Sequence, residues 1–170
     1  MKKILIGGLV GGIILFAWQT VSYAVANLHD KGQAYTSKQD SILQFLNNSG
    51  LEEGTYFMPR LQNENSSEEM EKFMKEVEGK PWARLSYYKA WNMNMGMNMA
   101  RGALADIIIV CFLVWIFSKM SAQSFGTYFI SSILIGIISF THTVYTGHIW
   151  YPMHDITAYF VDAIVSWGLI

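Results

Sequence analysis

From Ile4 to Ala26 the chain runs for 23 residues without a charged side chain. Outside a very large core, such a segment has one stable setting. It crosses a bilayer as an α-helix, because about 20 apolar residues span the hydrocarbon and a helix satisfies its own backbone donors and acceptors. Three more apolar blocks follow: Gly102–Ser118, Phe125–Thr141 and Ile156–Ile170. The second and third blocks reach spanning length once their flanks are counted. The fourth is short, so either neighbours support its end or the natural C-terminus lies beyond Ile170. Hydrophobic residues total 52%, close to an ordinary globular chain, so the blocking and not the total carries the membrane reading. The expected fold is mainly α: a four-helix polytopic membrane protein with spans over 1–26, 101–119, 124–142 and 155–170. A small α+β external insert occupies 27–100 and an outer loop 143–154.

Lys2 and Lys3 precede the first span and favour a cytoplasmic N-terminus. Ala24-Val25-Ala26 mimics a cleavage site, but the apolar run is long for a secretory signal, which predicts an uncleaved signal anchor. Residues 27–100 and the 143–154 loop then lie on the outer face of a bacterial inner membrane. Trp18, Tyr23, Trp150 and Tyr151 read as interfacial anchors. A formal charge of −1 gives no basis for nucleic-acid binding. The lone Cys111 forms no internal disulfide and reads as a packing residue.

Within the insert, Ser37 predicts a helix cap, with Ile42, Leu43, Phe45 and Leu46 as the apolar side of a helix that Gly50 stops. Thr55–Met58 reads as a strand, Leu61–Ser67 as a loop, and Ser66 with Glu69 as a capping box. The helix that follows carries a stripe of Met70, Phe73, Met74 and Val77 and ends at Gly79-Lys80-Pro81. Trp82–Lys89 predicts a second strand pairing with the first. The core of this insert is thin, so it is expected to rest on the membrane or on a partner.

Three groups of residues carry candidate chemistry. Asp106 lies five residues after Arg101, about 7–8 Å along its helix, and Asp162 lies six residues into the last block. With His142 closing the third helix, these groups are expected to share one layer near the outer face. A carboxylate at that depth is expensive unless it meets protein, water or a partner. Asp106, Asp162, His142 and Arg101 therefore mark either a proton or ligand site or interhelical glue; Asp155 and Asp162, seven apart, share one side of helix four. Second, Met93, Met95, Met97 and Met99, with His148 and His154, have the ligand types of a copper site, although methionine is also an adaptable packing residue. No other cofactor is indicated. Third, Gly7, Gly8, Gly11 and Gly12 form overlapping GxxxG patterns that let another helix approach closely, within the chain or from a partner. No nucleotide-binding, zinc-protease or serine-hydrolase motif occurs, so an enzyme is not expected.

The run Ile4-Leu-Ile-Gly-Gly-Leu-Val-Gly-Gly-Ile-Ile-Leu-Phe-Ala-Trp18, the piece Gly54-Thr-Tyr-Phe-Met-Pro59 and the loop Trp150-Tyr-Pro-Met153 together resemble a group of small bacterial membrane proteins with no assigned activity. The resemblance implies the four-helix layout and adds no catalytic residue. The expected role is that of a non-enzymatic accessory or assembly subunit of a larger inner-membrane complex. Its partners would be lipids and other membrane subunits or further copies of itself. The alternative is a small transporter or a ligand- or metal-binding protein using an outward-facing Asp/His pocket.

Overall fold

A computed structural model of the chain describes residues 1–62 and 66–170. It divides into two compact units, Met1–Tyr35 with Met93–Ile170, and Thr36–Asn92.

The first unit is helical. Helix α1, Lys2–Thr20, continues through a wide π turn over Val21–Val25. Asn27 then takes a positive φ of 50°, a conformation asparagine tolerates better than most residues, and reverses the chain into a short turn over Asp30–Gly32. Among the described residues, three helices are long and apolar enough to cross a membrane: Lys2–Val25, Met95–Phe117 and Phe125–Trp150. A fourth apolar helix, Ile156–Leu169, has 14 residues and is shorter than a span requires.

The boundaries differ from the sequence expectation in three places. The helix expected over 101–119 begins at Met95, because Asn94 caps it by accepting a hydrogen bond from the Met97 N–H at 3.0 Å. The helix expected to end at His142 does not end there. Its regular part, Phe125–Ser139, runs into a π segment over Phe140–Tyr145 and then Thr146–Trp150. The expected outer loop over 143–154 is accordingly helical as far as Trp150, since nothing before Pro152 forbids a backbone N–H or fixes an extended φ. The external insert expected over 27–100 contracts to a compact unit of 36–92.

In lipid, helices gain little by hiding apolar surface from one another, so close approach must supply the contact. The glycines of α1 do this inside the chain, against Met95–Phe117. A β-carbon on Gly12 would stand 2.6 Å from the Ile107 Cα, one on Gly11 would stand 2.7 Å from Val110 Cγ1, and one on Gly8 would overlap the Cys111 sulfur. Val110 and Leu113 are buried as a result. A second close pair joins Phe125–Ser139 to Ile156–Leu169. There Gly136 faces Trp167 and the Ala163 carbonyl, and the Ser132 hydroxyl donates to the Trp167 carbonyl at 2.6 Å.

The second unit holds helices Gln39–Asn48 and Ser67–Val77 and an antiparallel pair of strands, Gly54–Met58 and Ala83–Tyr87, with Tyr56 opposite Leu85. Its local signals read largely as expected. The Ser66 hydroxyl accepts from the Glu69 N–H at 3.1 Å, and Gly50 and Gly79 take the positive φ that ends each helix. Ser37 is not the cap, however; Lys38 occupies that position, and its N–H donates to the Thr36 hydroxyl. Of the expected loop Leu61–Ser67, residues 63–65 lie outside the described residues and Ser67 already belongs to its helix. The core is thin. Tyr87 is the buried hydrophobic side chain among the described residues of this unit, and Gln39–Asn48 buries none.

Candidate functional site

The turn after α1 lifts His29 out of the polar linker and buries it to 2% exposure. Its Nδ1 lies 2.9 Å from an Asp155 oxygen and its Nε2 lies 2.9 Å from an Asp162 oxygen. The other Asp162 oxygen accepts from the Trp18 indole N–H at 3.1 Å. Tyr23 stacks on the imidazole with ring centroids 4.0 Å apart, and Tyr159 meets it edge-on at 4.5 Å. Asp155 stands at the start of Ile156–Leu169, where an aspartate commonly caps its own helix. Here its side chain makes no cap bond and turns to His29 instead. The turn can close around it because Gly32 has no β-carbon; one added there would run into the Asp155 carboxylate.

A neutral imidazole has one N–H. With carboxylate oxygens at both nitrogens, the geometry satisfies both acceptors only when the ring carries two. Burial by itself pushes His29 toward the neutral form. The hydrogen bonds from Asp162 and Asp155 overcome this and hold its pKa above the ordinary histidine value. A raised folded-state pKa stabilises the fold fully below the unfolded value, near 6.5, and the contribution fades as pH rises through the folded one. The thermal midpoint in mild detergent is therefore expected to be level below the ordinary histidine value and to fall by several degrees as the pH rises above it. The His29→Gln variant should lack that fall, and an unchanged fall in the variant would assign it to another group.

Beside this cluster lies a cavity of about 420 Å³ between α1 and the other three apolar helices. Asp106 and Asp162 line it together with Gln19, Tyr23, Ser139, Phe140, Thr143, Tyr159, Ser166 and Trp167. Both π turns border it, through Tyr23 on one side and Phe140, Thr143 and Val144 on the other. Wide turns of this kind often occur at functional sites because they re-aim side chains out of the regular helical register. Asp106 is the twelfth residue of its 23-residue helix, midway along it. Its side chain is 3% exposed. One oxygen accepts from the Gln19 amide at 3.0 Å, and the other, Oδ2, is buried with no hydrogen-bond partner among the described residues.

The predicted site residues divide. Asp106 and Asp162 do line one cavity. His142 does not: it is exposed within the Phe140–Tyr145 π segment, whose wide turn shifts the face that a regular helix would present. Arg101 is also exposed, and Asp106 takes Gln19 as its partner. Five residues on a helix turn through about 140°, so Arg101 and Asp106 face different ways. Trp18 and Tyr23, expected to be interfacial anchors, contact the His29 cluster, Trp18 through Asp162 and Tyr23 by stacking on the imidazole. His29 itself was not among the predicted residues. The seven-residue spacing of Asp155 and Asp162 was the available signal, since two carboxylates on one side of an apolar helix call for a cation or donor between them.

The methionines do not converge. Met93 precedes the helix, Met95 and Met99 share one face, and Met97 points elsewhere; all four are at least half exposed. His154 is exposed, and His148 accepts the Met153 N–H through Nδ1 at 2.9 Å. Among the described residues, no group of three or more His, Cys, Asp or Glu side chains is arranged to hold a metal ion.

Fold and site together define a helical protein with, among the described residues, three helices of spanning length and a buried His/Asp cluster beside a cavity that two aspartates help to line. No family model matches the chain, and neither a curated protein nor a solved structure matches it.

Proposed function

We propose that this protein binds a small polar solute in the cavity lined by Asp106 and Asp162, without doing chemistry on it. One observation carries the reading: Asp106, midway along its helix, lines the cavity, and its buried Oδ2 has no hydrogen-bond partner among the described residues. Buried polar groups are nearly always hydrogen-bonded, and ionisable groups inside a membrane are costly enough that they mark pathways or binding sites. The His29 cluster then has a supporting role, tying α1 to the last apolar helix so that the cavity keeps its shape. In this reading all four apolar helices lie in a bacterial inner membrane. Lys2 and Lys3 hold the N-terminus in the cytoplasm, and residues 27–100 face outward.

The test is a thermal-shift panel on the full chain in mild detergent, using small cationic, neutral and anionic solutes. At least one is expected to raise the midpoint saturably, by a few degrees at about 100 times its Kd, and Asp106→Asn should abolish that shift. If no solute raises the midpoint of the unaltered protein, the cavity reading fails.

A second reading, an accessory or assembly subunit of a membrane complex, draws support from Gln39–Asn48. Ile42, Leu43 and Phe45 on that helix are 47%, 56% and 70% exposed, a single apolar side with no cover of its own. The α1 glycines lend this reading no weight, because Met95–Phe117 already occupies them. Native purification in mild detergent separates the two. A stoichiometric partner that Phe45→Glu releases supports the subunit reading.

A further inference from the structure

We propose that the cavity takes a small primary ammonium ion with an apolar tail, the –NH3+ group bonding to Asp106 and the tail lying along the aromatic wall. This rests on the cavity being a solute site and specifies its ligand.

The charges around the cavity are the first reason. Asp106 and Asp162 line it, whereas the cation of the cluster, His29, lies outside the lining and is held by Asp155 and Asp162. Among the described residues, no Lys or Arg lines it. An anion would meet carboxylates with nothing to balance it, and burying an unpaired charge costs several kcal/mol.

The second reason is the balance of donors and acceptors. The Gln19 amide already donates to Asp106, the Trp18 indole already donates to Asp162, and the Thr143 hydroxyl donates to the Ser139 carbonyl at 2.6 Å. Asp106 Oδ2, buried beside the cavity, is left without a hydrogen-bond partner among the described residues. An ammonium group brings three donors and no acceptor.

The third reason is the wall itself. Tyr23, Phe140, Tyr159 and Trp167 give it aromatic faces, which attract a cation and also bury an alkyl tail. A hard cation such as Ca2+ or Mg2+ would want six or more converging oxygens, which this mostly apolar wall does not offer, and among the described residues no group of three His, Cys, Asp or Glu side chains is placed to hold a metal. The volume of about 420 Å³ suits a molecule of modest size. An ammonium of this kind is carried by free alkylamines and by the amine headgroup of some lipids, and the same site would serve either.

The experiment uses the full chain in nanodiscs of phosphatidylglycerol and phosphatidylcholine, which carry no primary amine. n-Butylammonium is titrated against tryptophan fluorescence, with n-butanol and butyrate as controls. Butylammonium is expected to bind saturably and at least about tenfold more tightly than butanol, as a charge-assisted hydrogen bond requires. Butyrate should not bind, and Asp106→Asn should remove the preference for the amine. Should Asp106→Asn fail to fold, labelling of the unaltered protein with a hydrophobic carbodiimide decides the matter: butylammonium should slow modification of Asp106, read by mass spectrometry, and butanol should not. Adding phosphatidylethanolamine to the nanodiscs identifies the source. Weaker apparent butylammonium binding there assigns the site to the lipid headgroup, and unchanged binding assigns it to a free amine; both support an ammonium site. Equal affinity for butanol and butylammonium, no saturable binding, or unprotected Asp106 would overturn the proposal. If instead the solute panel finds a neutral or anionic ligand that depends on Asp106, the cavity reading stands and the ammonium falls. If no solute binds, both fall.

Discussion

Replacing His29 with alanine is expected to lower stability by about 3–5 kcal/mol, the usual cost of removing one partner from a buried ionic group. The cost comes less from the lost contacts than from what stays behind. The Asp155 and Asp162 side chains, 7% and 18% exposed, would face each other with no cation between them. Tyr23 would lose its stacking partner, and the turn over Asp30–Gly32 would lose what holds it against the last helix. His29→Gln should cost less, because its amide can still donate to one carboxylate. Combining His29→Ala with Asp155→Asn should recover part of the loss, since it removes one of the two stranded charges. Unfolding in mixed micelles of mild detergent and dodecyl sulfate measures all three. A loss below about 1 kcal/mol for His29→Ala, the scale of an exposed pair, would show that the cluster is open to water and does not tie the helices together.

The second large effect is expected at Gly12. Its added β-carbon would meet the Ile107 Cα at 2.6 Å and the Ile107 N at 2.8 Å. Backbone cannot rotate away as a side chain can, so Gly12→Leu must drive α1 off Met95–Phe117 as a whole. The cost should exceed the roughly 1–3 kcal/mol typical of overpacking. It should also pull Gln19 from Asp106, because both contacts lie along the same helix pair. Gly7→Ala provides the contrast. Its nearest neighbour is Val114 Cγ2 at 3.1 Å, a side chain that can yield, and the expected cost is about 1 kcal/mol or less. Thermal midpoints of the two variants, measured together, test the distinction; equal losses would mean that the glycines do not set the approach of the helices.

Much of this architecture could be read from residue pattern. Four apolar blocks gave four apolar helices, the glycine repeat gave the close helix pair, and Ser66, Gly50 and Gly79 gave helix ends, because each of these signals acts over a few residues. The spacing of Asp155 and Asp162 likewise fixed a shared side. The centre of the site was not legible for a different reason. His29 reaches its partners across 126 and 133 positions of sequence from a polar turn without periodicity, and nothing local to it predicts burial. The π turns hid the rest. A wide turn leaves composition unchanged but moves the face that follows it, so His142, expected in one layer with Asp106 and Asp162, ends outside the cavity, and Tyr23 lines it. The methionine run misled through its alternation, which reads as one face only if the chain is extended; the Asn94 cap makes most of it helical.

The state of the His29 ring is the most direct measure of whether this cluster ties α1 to the last apolar helix. Nitrogen-15 resonance of labelled protein in lipid bilayers at about pH 7.5, where an ordinary histidine is mostly neutral, reports it. Two protonated, hydrogen-bonded ring nitrogens, both lost in His29→Gln, are the expected result. A neutral ring with one bare nitrogen in contact with water would contradict the account.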